Sequence, residues 1–206
     1  MFLKVEEFRL LPESLLKEEK ELCLRVGIKM KNIAIDSDVI VASEIAIESN
    51  HKDSKEFMDY ILSDKLKDVF FFTSIFTFLE LGSAMIRRTK DKDKAYSLLY
   101  RITPSWKNVI NPLPLSISKK QITPNTFSRN LIDSLIETAI KFNTKSGDTI
   151  QTQAILENQI DCFITWNKKD FVILEKNIPN FKVLNPKEML SELKNLRKNK
   201  LLEKIK

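Results

Sequence analysis

The run Asn32-Ile33-Ala34-Ile35-Asp36-Ser37-Asp38-Val39-Ile40-Val41-Ala42 decides how this chain is read. Ile33–Ile35 is a short, wholly apolar run of the kind that forms a strand buried in a sheet. It stops on an acid, Asp36, and a second acid, Asp38, follows two residues on. A carboxylate leaving water needs a partner, so an acid closing an apolar strand has few structural reasons to be there. The pair could cap a turn or a helix, but a functional role is the better reading.

Working outward, strand-like and helix-like segments alternate. Phe57–Leu66 reads as a helix, with Phe57, Tyr60, Ile61 and Leu66 on one face. Val69–Thr73 is a second apolar run rich in strand formers. Ser74 then serves as an N-cap for a helix reaching about Arg88, and Asp91–Arg101 forms a further short helix. Ile102–Asn125 carries Pro104, Pro112, Pro114 and Pro124, so it reads as loop with an edge strand at Leu113–Ser118. Phe127–Phe142 returns to helix, with Leu131, Leu135, Ile136, Ala139 and Ile140 on one face. A helix over Asp148–Asn158 precedes a strand at Cys162–Thr165, and another strand falls at Phe181–Leu184. This alternation predicts an α/β domain with a mostly parallel sheet. In such sheets ligands sit just past the carboxyl ends of the strands.

That rule gives the acids their meaning. Asp36 closes the first strand. Glu80 lies in the helix after the second, flanked by Phe78, Leu79 and Leu81, and a Glu in an apolar setting is rare unless paired. Asp148 follows Gly147 at the start of a helix, where an acid is also a common cap. Asp170 lies just past the strand Cys162–Thr165, and Asp161 reads as a turn residue. Carboxylates from separate segments thus fall near one edge of the sheet, and a hard divalent cation is the simplest way to neutralise them.

Composition narrows the alternatives. With only three glycines, and neither a Walker A nor a GxGxxG pattern, phosphate-loop and dinucleotide readings fall away. Two cysteines, Cys23 and Cys162, and one histidine, His51, are too few for a structural zinc site. The opening MFLKVEEFRL lacks a signal-peptide core, and no apolar run approaches the ~20 residues of a membrane helix. A cytoplasmic protein is expected. The net charge is +6, and Lys187–Lys206 holds seven Lys/Arg against three Glu. That stretch reads as a solvated helix or tail, or as a salt-sensitive grip on nucleic acid. Residues 1–31 form an N-terminal extension with a loose helical stripe over Pro12–Val26. The expected division is extension 1–31, domain 32–189 and basic helix or tail 190–206.

The motifs together resemble those of the PIN-domain ribonucleases, including the VapC-type toxins. Asp36-Ser37-Asp38-Val39 matches the family's first block. Thr73-Ser74-Ile75-Phe76-Thr77-Phe78-Leu79-Glu80 matches the second, Gly147-Asp148-Thr149-Ile150 with Ala154 the third, and Thr165-Trp166-Asn167-Lys168-Lys169-Asp170-Phe171 the fourth. The resemblance spans about Asn32 to Met189. It implies a PIN-like three-layer sandwich, a central, mostly parallel sheet flanked by helices. It further implies a metal-dependent endoribonuclease in which Asp36, Glu80 and Asp148 hold Mg²⁺ or Mn²⁺. Asn167 stands where many members have a fourth acid, with Asp170 the residue that could supply the missing charge. RNA is the implied substrate, and a second copy of the chain and an antitoxin are the implied partners.

On this reading Asp36, Glu80, Asp148 and Asp170 are the catalytic candidates. Ser37, Asp38, Thr165 and Asn167 support them by hydrogen bonding. Arg87 and Arg88 would guide the RNA, or simply occupy a helix end that favours cations. Two rivals stand beside it. One is a haloacid-dehalogenase-like phosphatase with Asp36 as nucleophile, suggested by IAIDSDVIV. The other is a non-catalytic RNA-binding domain, suggested by Asn167.

Overall fold

Ile33, Ile35 and Ala34 point in opposite directions from one strand, and that alternation organises the molecule. The computed structural model describes residues 32–63, 66, 69–107, 109–113 and 124–203. The N-terminal extension and its expected helix lie outside them. Five strands form a single parallel sheet: β1 (Asn32–Ile35), β2 (Phe70–Ser74), β3 (Ile110–Leu113), β4 (Cys162–Ile164) and β5 (Lys182–Leu184). Their order across the sheet is β3-β2-β1-β4-β5. The chain builds outward from β1 in one direction and then crosses back to build β4 and β5 on the other side. The switch point is therefore the carboxyl end of β1, between β2 and β4, where open α/β sheets place their ligands.

Ile33 and Ile35 of β1, with Cys162 and Ile164 of β4, face one layer of helices. That layer contains α1 (Ser37–Glu44), α2 (His51–Ser63), α3 (Ile75–Thr89), α4 (Lys92–Lys107) and the start of α8 (Pro186–Glu203). Phe57, Met58, Ile61, Leu81, Met85, Met189 and Leu193 fill the space between. Ala34 and Phe163 face the other layer, made by α5 (Pro124–Phe142), α6 (Ser146–Glu157) and α7 (Lys168–Asn177). There Phe163 and Phe171 meet edge-on, with ring centroids 4.7 Å apart. The result is the three-layer α/β sandwich that the sequence predicts, with a sheet that is parallel throughout.

Several element boundaries differ from expectation, among them the first long helix, which spans His51–Ser63 rather than Phe57–Leu66. An edge strand is present at Ile110–Leu113, paired to β2; the strand expected at Leu113–Ser118 lies, past Leu113, outside the described residues. The observed strand includes Pro112, which an edge strand accommodates because its outer N–H has no ladder partner to lose. Helix α4 continues past Pro104 to Lys107, where the sequence suggested a loop from Ile102. Helix α5 starts at Pro124, three residues earlier than Phe127, and proline at a helix start gives up no internal hydrogen bond. Its buried side is also rotated. Thr138 and Phe142 are buried, whereas Ile136 and Ile140 are 52% and 77% exposed. The side of α5 that packs is the one joined to α6 by Gln153, whose amide reaches Ser134 Oγ at 2.7 Å and also bonds Thr138.

Candidate active site

Asp36 is buried at the switch point, with 8% of its surface exposed. Its backbone N–H donates to Ile164 O at 2.9 Å, which ties the end of β1 to the end of β4. Its side chain is the N-cap of α1: Oδ1 accepts from Ser37 N at 2.7 Å. The capping reading and the functional reading of Asp36 therefore both hold, since one oxygen starts the helix and the carboxylate still faces its acidic neighbours.

Two hydroxyls then link three carboxylates. Ser37 Oγ donates to Glu80 Oε2 at 2.8 Å and lies 3.3 Å from Asp36 Oδ1. Thr165 Oγ1, fully buried after β4, lies 2.8 Å from Asp36 Oδ2 and 3.2 Å from Asp38 Oδ2. It also accepts from Asn167 N at 3.0 Å, so its single proton must choose between the two acids. Asp38 Oδ2 receives Trp166 N at 3.0 Å. Asp38 Oδ1 is buried with no hydrogen-bond partner among the described residues.

The electrostatics follow. Burial, then the charge of Asp38, and less strongly that of Glu80, hold the Asp36 carboxyl well above its ordinary range, despite the Thr165 and Ser37 donors. Burial likewise pushes Asp38 up to about 6, against the lowering effect of the Trp166 N–H and Thr165 hydroxyl. Asp148 is raised by partial desolvation and by Asp170 and Glu80, with Lys145 pulling the other way. No ion pair among the described residues neutralises any of these acids.

Glu80 and Asp148 meet across the interface of α3 and α6. Glu80 Oε1 lies 3.6 Å from where a side chain on Gly147 would begin. One turn along each helix, Gln151 Nε2 donates to Thr77 Oγ1 at 3.3 Å, both residues buried. Thr77 precedes Glu80 by three residues and Gln151 follows Asp148 by three, so each pair shares a helix face. This brace was not singled out in the sequence, although the helical spacing is readable there. Trp166 was also missed: besides holding Asp38 through its N–H, its indole donates to the buried Ser54 Oγ at 2.8 Å.

The sequence-derived candidates thus gather as follows. Asp36, Ser37, Asp38, Glu80 and Thr165 form one hydrogen-bonded group, and Asp148 is coupled by charge to Asp170 and to Glu80. Asn167 does not join the carboxylates as an acid would. Its side-chain amide donates to Asp170 Oδ2 at the start of α7 and so fixes the neighbouring carboxylate. Arg87 and Arg88 border a cavity of ≈ 540 Å³ that Ser37, Asp38 and Glu80 also line. Arg88 is paired with Glu48, whereas Arg87 makes no ion pair among the described residues.

A hard cation fits the chemistry of this donor set, which is all carboxylate and hydroxyl oxygen. The orphaned Asp38 Oδ1 and the three raised carboxyls are what a missing positive charge would leave. The side chains do not form a closed cage: among the described residues, no three acidic, histidine or cysteine side chains are close enough to hold an ion unaided. Soft ligands are not at hand. Burial pushes the Cys162 thiol up and keeps it inert, and His51 Nδ1 is bonded to Ala42 O at 2.8 Å.

No protein-family model matches the chain, and neither does any curated protein. Several solved structures are similar. One is VapC20 of Mycobacterium tuberculosis, described as a Sarcin-Ricin loop cleaving toxin, with 13% identity and a TM-score of 0.48, covering 68% of this chain and 93% of that one. Another is VapBC2 from Rickettsia felis bound to a DNA fragment from their promoter, also at 13% identity and 0.48, covering 75% of this chain and 98% of that one. At such identity, what those proteins cleave or bind is theirs alone.

Proposed function

We propose that the chain is a PIN-type ribonuclease that uses Mg²⁺ or Mn²⁺ to hydrolyse RNA phosphodiester bonds. The observation that carries this reading is a group of buried and half-buried carboxylates at the sheet's switch point, linked by two hydroxyls and ion-paired with no cation among the described residues. The four ordered motifs support the same reading.

Asp36, Glu80 and Asp148 would hold the ion, directly or through water, with Asp38 Oδ1 a further buried oxygen facing no donor. When bound, the ion would supply water activation and neutralise charge building on the phosphate. Asp36 is fixed in place by the Ser37 N–H and the Thr165 hydroxyl. Glu80 Oε2 is occupied by Ser37, so Glu80 Oε1 is the oxygen free to take a proton from the attacking water. Arg87 would hold an RNA phosphate in the cavity beside Glu80. The phosphatase alternative keeps only its motif, IAIDSDVIV. Both Asp36 oxygens are engaged by donors, and no lysine pairs with it among the described residues. A toxin role, with an antitoxin as partner, is part of the proposal and is supported by the motif resemblance. Among the described residues, no helix is long and apolar enough to cross a membrane.

The test is cleavage of single-stranded RNA by the full chain with Mg²⁺ or Mn²⁺ and with EDTA. Asp36→Asn and Asp148→Asn should each reduce the rate by more than about 100-fold with the fold intact by circular dichroism. Undiminished cleavage in either variant, or full activity in EDTA, would sink the assignment.

A further inference from the structure

Two cavities approach the acids without sharing a lining residue. The first is the Arg87 cavity beside Glu80. The second, of ≈ 290 Å³, is bordered by Phe142, Thr144, Lys145, Asp148, Lys169 and Asp170, among others. Glu80 bounds one and Asp148 the other, and the two acids meet at Gly147. The carboxylate row therefore lies between a cavity with an arginine and a cavity with lysines.

The lysines stand where helix physics disfavours them. Lys145 occupies the N-cap of α6, makes no capping hydrogen bond, and sits at the positive end of the helix dipole. Lys169 lies in the first turn of α7, again at a positive end, after an Asn167 cap that makes no side-chain hydrogen bond. Both are exposed, and neither forms an ion pair among the described residues. The neighbouring Lys168 shows the contrast, since Glu188 binds it at 2.8 Å. The Arg87 side repeats the arrangement, with Arg88 tied to Glu48. Lys145 feels the charge of Asp148, but neither lysine closes an ion pair among the described residues that would offset its unfavourable helix end, which leaves both ammonium groups available to a ligand.

We infer that this second cavity is a subsite for the RNA backbone, in which Lys145 and Lys169 grip a phosphate on the side of Asp148 and Asp170 away from Arg87. The inference rests on the ribonuclease reading and extends it. A polyanion crossing a row of carboxylates is repelled unless cations flank the row on both sides, and these lysines supply the second flank. The cavity is at the small end of the ~300–1,000 Å³ typical of ligand sites, room for one nucleotide of a single strand rather than a duplex.

The experiment measures binding of a fluorescent single-stranded oligoribonucleotide to the full chain by anisotropy in EDTA, across a salt series. Lys145→Ala with Lys169→Ala should weaken binding about tenfold at low salt. It should also lower the slope of log K on log salt by about 1.4, two contacts at ~0.7 each. The matching arginine pair should restore the slope, and Lys168→Ala should leave it unchanged. A native slope in the alanine pair overturns the subsite. So does an equal fall with Lys168→Ala, which would mark general surface charge, or a failure of arginine to rescue. If the alanine pair binds normally while the native chain cleaves RNA with metal, the subsite falls and the nuclease reading survives. If the native chain neither binds nor cleaves RNA, both fall.

Discussion

Replacing Asp38 with Asn should make the metal-free protein more stable at pH 8, although Asp38 lies in the middle of the site. Asp38 Oδ2 accepts from Trp166 N and lies within reach of Thr165 Oγ1, and an amide oxygen can take over that position. The other oxygen, Oδ1, already lacks a partner, so an amide nitrogen there exchanges one unsatisfied atom for another. What changes is the charge. Burial raises the Asp38 carboxyl from 3.8 to about 6, and that shift corresponds to about 3 kcal/mol of penalty on the ionised native state. Asp36 gains as well, because the Asp38 charge is among the causes that hold its carboxyl high.

The sign follows from proton binding. Between pH 3.8 and about 6 the unfolded chain has released the Asp38 proton while the native protein keeps it. Native stability therefore falls as pH rises through that window, and the whole penalty is present above it. Urea unfolding of the native protein and Asp38→Asn in EDTA, from pH 3.5 to 8, isolates this group as a difference curve. The variant's advantage should be near zero at the acid end and reach roughly 1–3 kcal/mol above pH 6. Added Mn²⁺ should shrink it by stabilising the native protein more. A flat difference curve, or a variant less stable at pH 8, would refute the reasoning that this cluster is an uncompensated buried charge.

Two further substitutions probe the same network from its edges. Thr165→Val preserves shape but removes the donor shared by Asp36 and Asp38 and the acceptor for Asn167 N; the expected loss is about 2–4 kcal/mol at pH 7 by urea unfolding, and smaller as the pH falls, because burial and the Asp38 charge make the Asp36 carboxyl hold its proton more readily than usual. Arg88→Ala breaks an exposed pair with Glu48 and should change stability by less than about 1 kcal/mol. Arg87→Ala, by contrast, should reduce the salt slope of RNA binding by ~0.7. Equal slopes for the two arginine variants would remove the distinction drawn between them.

What the sequence made legible was whatever depends on local pattern. The apolar Ile33–Ile35 run and the strands after it were readable because parallel strands buried on both faces are continuous apolar runs. Helix α1 was not. Val39-Ile40-Val41 is β-branched and reads as more strand, yet it turns at once into a helix under the Asp36 cap. Val39 to Ser43 are all buried, so no amphipathic period betrays the helix. The buried side of α5 was misjudged for the converse reason: its isoleucines suggested a core face, while polar Thr138 and Ser134 do the packing through Gln153. At the site, Asp36 and Glu80 stood out because each breaks an apolar context, and Asp148 because it heads a helix in one of the ordered motifs. Asp38 was read with Asp36 as a functional pair, but its tie to Trp166 N, 128 residues away, was not readable.

The roles of the hydroxyls follow from counting protons rather than from motif. Ser37 and Thr165 each have one hydroxyl proton, and between them they touch Asp36, Asp38 and Glu80. Backbone N–H groups add Ser37 to Asp36 and Trp166 to Asp38. That is enough to orient three carboxylates and too little to neutralise them, so burial prevails over the donors at Asp36 and Asp38, joined at Asp36 by the charges of Asp38 and Glu80. Among the described residues no cation is paired with these acids, so a proton at low pH or, on the proposed reading, a metal ion above it would meet the remaining charge. On that reading, competition between the two would make cation affinity rise with pH through the range where Asp38 ionises, near 6. A network of hydroxyls that positions acids without neutralising them favours a site waiting for an ion over a purely structural cluster, since a structural cluster would be more stable with its charges removed.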